Sequence, residues 1–127
     1  MMPQKLEDLT ALITKECLTN KAVSLMKMLG HPVRLSILCN LMHHEELSAG
    51  DIVRGEHHRA SQSQVSQYLA RLRQDNIVST RRDGQTIYYR VQDPNVQAVI
   101  KTLHKLYVDQ APGVLGEIAE RYKRDEI

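Results

Sequence analysis

The sequence predicts a mainly α-helical chain of the α+β class, and three observations predict it. Apolar residues recur at helical spacing over most of the length. Two Ser-x-x-Asp/Gln signatures mark helix starts at Ser48 and Ser61. The hydrophobic period drops from 3.6 to 2 in one place only, around Asp83-Gly84. At 127 residues the chain suits a single domain spanning 1–127, able to bury roughly two thirds of its unfolded surface. It reads as an N-terminal helical segment (1–30), a central core (31–92), a C-terminal helix (93–111) and a tail (112–127).

In the first segment Leu6, Leu9, Leu12, Ile13 and Cys17, then Ala22, Leu25, Met26 and Leu29, keep helical spacing. A phase change near Thr19-Asn20 predicts one broken helix or two short ones. Gly30 is placed to end it and Pro32 to open the next helix, where a missing N–H costs nothing. Val33, Leu35, Ile37, Leu38, Leu41 and Met42 are apolar around much of that helix, which marks it as the core helix. Ser48 and Asp51 cap a short helix carrying Ile52 and Val53, and Gly55 to Ala60 reads as a linker. Ser61 and Gln64 then open a helix with Val65, Leu69 and Leu72 on one side. Its wet side is built of hydroxyls, amides and guanidinium groups.

Past Asn76, two β-rich runs flank Asp83-Gly84. A turn on those two residues sets Arg82 against Gln85, Arg81 against Thr86, Thr80 against Ile87 and Val78 against Tyr89, giving a basic tip and an apolar base. Asp93-Pro94 caps a last helix with Val96, Val99, Ile100, Leu103, Leu106 and Tyr107 in a stripe, which Pro112-Gly113 stops. The tail has only weak amphipathic spacing, in Leu115, Ile118 and Tyr122. There are no repeats and no low-complexity tract.

The net charge of +2 hides an uneven distribution. Residues 1–53 carry five Lys/Arg against six Asp/Glu, residues 54–90 carry seven against three, and residues 91–127 carry five against six. A positive middle between near-neutral ends predicts a module that binds a polyanion. No signal peptide and no apolar run near the ~18 residues of a membrane span are present, so a cytoplasmic protein without membrane association is expected. Two cysteines offer no disulfide framework.

A short helix, a linker, a polar-faced helix and a basic-tipped hairpin, in that order, make a winged helix-turn-helix. In that arrangement the second helix enters a major groove about 12 Å wide, the first braces it, and the hairpin lies along the flanking backbone. Double-stranded DNA is therefore the expected partner. Gln62, Ser63, Gln64, Ser66 and Gln67, following Ser61, are expected to read bases, with Arg59, Arg71, Arg81, Arg82 and Gln85 on phosphates or the minor groove.

The stretches Gly30 to Leu38, Glu46 to Ile52, Ser61 to Arg73 and Ile77 to Tyr89 together resemble the ArsR/SmtB transcriptional repressors, most of all the NolR- and HlyU-like branch. The resemblance covers about residues 20 to 110. It implies a homodimeric repressor, paired through its N- and C-terminal helices, that binds an imperfect inverted-repeat operator. In one respect the chain departs: between Glu46-Leu47-Ser48 and Ser61 it is about two residues longer than the family pattern, with Ala60 where a larger apolar residue is expected.

The family's metal sites are not assembled. Ser48-Ala49-Gly50 stands where one needs Cys-x-Cys, Asp93-Pro94-Asn95 lacks a second site's first His, and His104 is followed at the third residue by Tyr107. His43-His44 and His57-His58 read as surface pairs, since adjacent helical residues diverge by about 100°. No metal, cofactor or enzymatic activity is expected, and nothing indicates the inducer. Resemblance to thiol- and persulfide-responsive repressors places Cys39 at one switch position. The partner position holds Val108, leaving Cys17 as a replacement, so an alternative is a repressor switched through Cys39 and Cys17. A further alternative, a winged helix used for protein interaction, fits the amide-rich helix and the lack of Phe and Trp less well.

Overall fold

The computed structural model describes residues 6–108. The chain divides between His31 and Pro32 into two compact units. In the first, the described residues form one helix, α1 (Leu6–Leu29). It runs unbroken through Thr19-Asn20, against the expected interruption. No Gly or Pro stands between Leu6 and Leu29 to break it, and Thr19 turns its hydroxyl back onto its own helix, donating to Lys15 O at 2.9 Å. The Gly30 N–H closes the last turn on Met26 O at 2.8 Å.

The second unit follows the order α2 (Pro32–His44), β1 (Leu47–Ser48), α3 (Ala49–Glu56), α4 (Gln62–Gln74), β2 (Val78–Asp83), β3 (Thr86–Val91) and α5 (Pro94–Leu103). A π-helical turn, His104–Val108, continues α5. The predicted stop at Pro112-Gly113 and the tail lie outside the described residues. Helix α2 is the core helix that its composition predicts: Ile37, Leu38 and Leu41 are wholly buried. Around them stand Ile52 of α3, Val65, Leu69 and Leu72 of α4, Val78 and Val91 of the sheet, and Val96 and Ile100 of α5. Burying such a side chain stabilises by roughly 1.5–3 kcal/mol, so this shared cluster holds the helices and sheet together.

Three polar side chains, Ser36, Asn40 and Glu56, reach into it. The Ser36 hydroxyl donates to Glu56 Oε2 at 3.2 Å, and Asn40 Nδ2 donates to Ser36 O at 2.8 Å. Glu56 and Gly55 are buried and helical rather than linker. The connection between α3 and α4 is thus only His57 to Ser61, with Ala60 tucked inward.

The sheet is antiparallel with strand order β1-β3-β2. The two-residue β1 is too short to leave a periodic signal in the sequence, and the expected two-stranded hairpin becomes three-stranded. Its pairing also shifts. Asp83 pairs with Thr86, Arg82 with Ile87, Arg81 with Tyr88, Thr80 with Tyr89 and Val78 with Val91. The turn is therefore Gly84-Gln85, one residue later than expected. Gly84 takes φ +62° and Gln85 does not take a positive φ, as in a type II′ turn, which needs glycine at its first central position. A shift of two in the pairing sum leaves every side chain on its predicted face.

Helix α4 ends by a rule that fits its sequence. Asn76 adopts φ +59°, its N–H donates to Arg73 O at 3.0 Å, and the Ile77 N–H donates to Leu72 O at 2.9 Å. This is a Schellman cap, with buried Leu72 and Ile77 as its apolar pair. It delivers the chain directly into β2.

Candidate nucleic-acid interface

The capping boxes set where the two helices of the motif begin. At α3, Ser48 Oγ accepts from the Asp51 N–H at 3.1 Å, and Asp51 Oδ2 accepts from the Ser48 N–H at 3.4 Å. At α4, Ser61 Oγ accepts from the Gln64 N–H at 3.2 Å, and Gln64 Oε1 accepts from the Ser61 N–H at 2.9 Å. Both serines hold extended backbone immediately before helical geometry. Because Ser48 also pairs with Tyr88 in the sheet, the start of α3 is tied to the wing.

With Val65, Leu69 and Leu72 buried, the opposite side of α4 is exposed and carries Ser63, Gln67 and Arg71, with Gln62, Gln64 and Ser66 on its flanks. No Asp or Glu occurs in α4. The predicted readers separate into two groups. Gln62, Ser63, Ser66 and Gln67 are exposed and make no side-chain hydrogen bond among the described residues. Gln64 instead spends its carbonyl on the cap, and a bidentate contact to adenine needs both ends of the amide.

The basic residues separate likewise. Arg71 Nε donates to Asp75 Oδ2 at 3.0 Å one turn away. Arg59 is exposed, its Nε donating to His58 Nε2 at 3.0 Å beside the start of α4. Arg82 and Gln85, at the wing tip, are exposed, and Arg82 has no ion pair among the described residues. Arg81 is engaged within the protein. Its Nε and one terminal nitrogen donate to Glu46 Oε2 and Oε1 at 2.9 and 2.6 Å, and its guanidinium lies 4.4 Å from the centre of the Tyr88 ring. This hydrogen-bonded fork holds the Glu46 carboxyl below the usual carboxylate range.

Glu46 and Tyr88 were not legible as site residues, because their partner lies 35 residues from Glu46 and across a strand. Arg73 was also missed. It lines an open cleft of about 360 Å³ between α3, the flank of α4 and β3, with Val53, Ser66, Ala70, Gln74 and Tyr89. A helical count places it one turn from Ala70 and two from Ser66, but only the sheet shows that Tyr89 closes the far wall.

Cys17 and Cys39 are free thiols, one in each unit. Cys17 is exposed, whereas burial pushes the Cys39 thiol up to about 11, which suppresses the thiolate that redox chemistry requires. Among the described residues no three His, Cys, Asp or Glu side chains converge as metal ligands would, and no helix is long and apolar enough to cross a membrane.

Comparison with known proteins places this geometry. Residues 31–80 match the family described as bacterial regulatory protein, arsR family. The transcriptional activator HlyU of Vibrio cholerae is 44% identical over 87 residues, covering 68% of this chain and 78% of HlyU. The nodulation protein NolR of Rhizobium meliloti is 38% identical over 95 residues, covering 73% and 74% respectively. The solved structure of reduced HlyU from Vibrio cholerae superposes with a TM-score of 0.65 at 41% identity, covering 74% of this chain and 96% of that one.

Proposed function

Because this chain belongs to the ArsR family of winged-helix, DNA-binding transcription regulators, which are not enzymes, we propose that it is a cytoplasmic homodimeric repressor of an inverted-repeat operator. The observation that carries the DNA-reading part is the exposed side of α4. Four uncommitted short polar side chains, Gln62, Ser63, Ser66 and Gln67, stand there without a carboxylate beside them on the helix. Gln62 and Gln67 suit adenine, and Ser63 and Ser66 suit any base edge. Arg82 and Gln85 at the wing tip, Arg59 before α4 and Arg73 in the cleft supply backbone contacts. Ser61 and Gln64 set the angle at which the helix enters the groove.

Pairing is supported by α1. From Thr14 to Ser24 every residue of this helix is exposed, including Leu18 at 60% and Val23 at 43%, and Met26 beyond them at 71%. A helix stabilised by so little packing is marginal in water, because helices in proteins draw most of their stability from a buried face. Leu106 and Tyr107, at 49% and 68% exposure, offer a second apolar surface. A second copy would cover both. Repression follows from geometry of a simple kind: two reading helices about 34 Å apart occupy successive major grooves and exclude other proteins from that stretch.

The test is selection of bound fragments from genomic DNA, followed by affinity measurements on a selected and a random duplex. Gln67→Ala is expected to cost about 1–3 kcal/mol at one base position and leave random duplex unaffected. Equal losses on both duplexes would remove Gln67 from the readers.

A further inference from the structure

The wing carries two adjacent arginines, and the strand places them on opposite faces. Arg82 shares its face with Thr80, Ile87 and Tyr89, and Arg81 shares the other with Tyr88. From β2, the Arg81 side chain passes over the Tyr88 ring on β3 and ends on Glu46, the residue before β1. One side chain thus ties β2 and β3 to the entry of β1. Its far end is two residues from Ser48, which caps α3.

We infer that Arg81 is a positioning residue and not a DNA contact: the Glu46–Arg81–Tyr88 latch sets the wing relative to the helix-turn-helix and keeps Arg81's charge from the DNA backbone. Three features carry this inference. The fork is bidentate, at 2.6 and 2.9 Å, a geometry that a planar guanidinium supplies and an ammonium does not. The stack on Tyr88 fixes the guanidinium plane at a second point. A guanidinium already neutralised by a carboxylate has little counterion atmosphere of its own to release when DNA arrives, whereas Arg82 has no such partner among the described residues.

This inference rests on the DNA-binding reading above, and salt dependence distinguishes the two. Observed affinity is measured against salt concentration for the selected and the random duplex. Arg82→Ala is expected to flatten the log–log slope by about 0.9 per protomer. Arg81→Ala should leave the slope as in the unaltered protein while cutting the preference for the selected duplex about 3- to 10-fold, as expected for a misaimed wing. Glu46→Gln releases Arg81, so it should steepen the slope and tighten binding to random duplex, an effect that mere loosening of the fold would not produce. The exchange E46R with R81E rebuilds the ion pair in reverse and should recover most of the lost preference, which guards against a misfolded single variant. Arg81→Ala flattening the slope as Arg82→Ala does would overturn the inference alone. Absence of salt-dependent duplex binding by the unaltered protein would overturn the DNA-binding reading and the inference with it.

Discussion

Gln64 shows how one side chain can satisfy two expectations that exclude each other. As the third residue after Ser61 it fits a capping box, and as an amide on a DNA-facing helix it fits a base reader. The 2.9 Å bond from the Ser61 N–H engages Gln64 Oε1 in the cap. Gln64→Ala is accordingly expected to lower stability by about 0.5–1 kcal/mol, seen as a reduced Tm, and to weaken selected and random duplex binding alike. Loss confined to the selected duplex would restore Gln64 to the readers. The two thiols separate as sharply. With Cys39 pushed up to about 11 by burial and Cys17 exposed, a thiol reagent at pH 8 should modify Cys17 markedly faster than the part-buried Cys39 in the native protein. Mass spectrometry of the native protein over time reads one label, then two; two labels at equal rates under native conditions would contradict this burial.

Among the elements, the turns that aim the wing carry the backbone cost. Gly84 has open space where a Cβ would stand, but its φ of +62° disfavours any side chain. Gly84→Ala should therefore destabilise by about 1–2 kcal/mol through backbone strain alone. Asn76 at φ +59° holds the Schellman cap between α4 and β2. Asn76→Gly should be neutral or slightly stabilising, whereas Asn76→Val should cost about 1–2 kcal/mol, because a β-branched residue resists the left-handed region. Denaturant midpoints check both, and equal midpoints for the Gly and Val variants would remove the cap from the account. The latch adds a pH statement of known sign. The Glu46 carboxyl is depressed by Arg81, so the ion pair is complete above the ordinary carboxylate range and is lost only as pH falls through the lowered value. Wing-dependent discrimination between duplexes should therefore be flat from pH 6 to 8 as far as Glu46 is concerned.

At the scale of the whole molecule, the proposed homodimer draws on the exposed middle turns of α1 and on the exposed Leu106 and Tyr107. Leu18→Lys together with Met26→Lys should shift the protein from dimer to monomer in analytical ultracentrifugation at micromolar concentration. The same change should reduce operator affinity at least 10-fold, since each half-site is then bound alone. A dimer unaffected by both lysines would move the interface elsewhere. Such a pair would also account for a 24-residue helix whose middle turns are all exposed in a single copy.

What the sequence determined by itself was the kind and order of elements. Helix starts at Ser48, Ser61 and Asp93 are written in residues within one turn of each other, and the change from period 3.6 to 2 needs only a few consecutive side chains to read. The composition of the α4 surface was equally open, and so was the family that its motifs resemble. Tertiary structure decided which of the candidate groups remain available. Arg81 is paired with a carboxylate 35 residues away, Glu56 takes the Ser36 hydroxyl from 20 residues away, and β1 exists only because β3 is there to pair with it. The physical reason is common to all three: periodicity and capping are interactions between near neighbours along the chain, whereas the commitment of a charge or a strand edge depends on partners that only folding brings within hydrogen-bond distance.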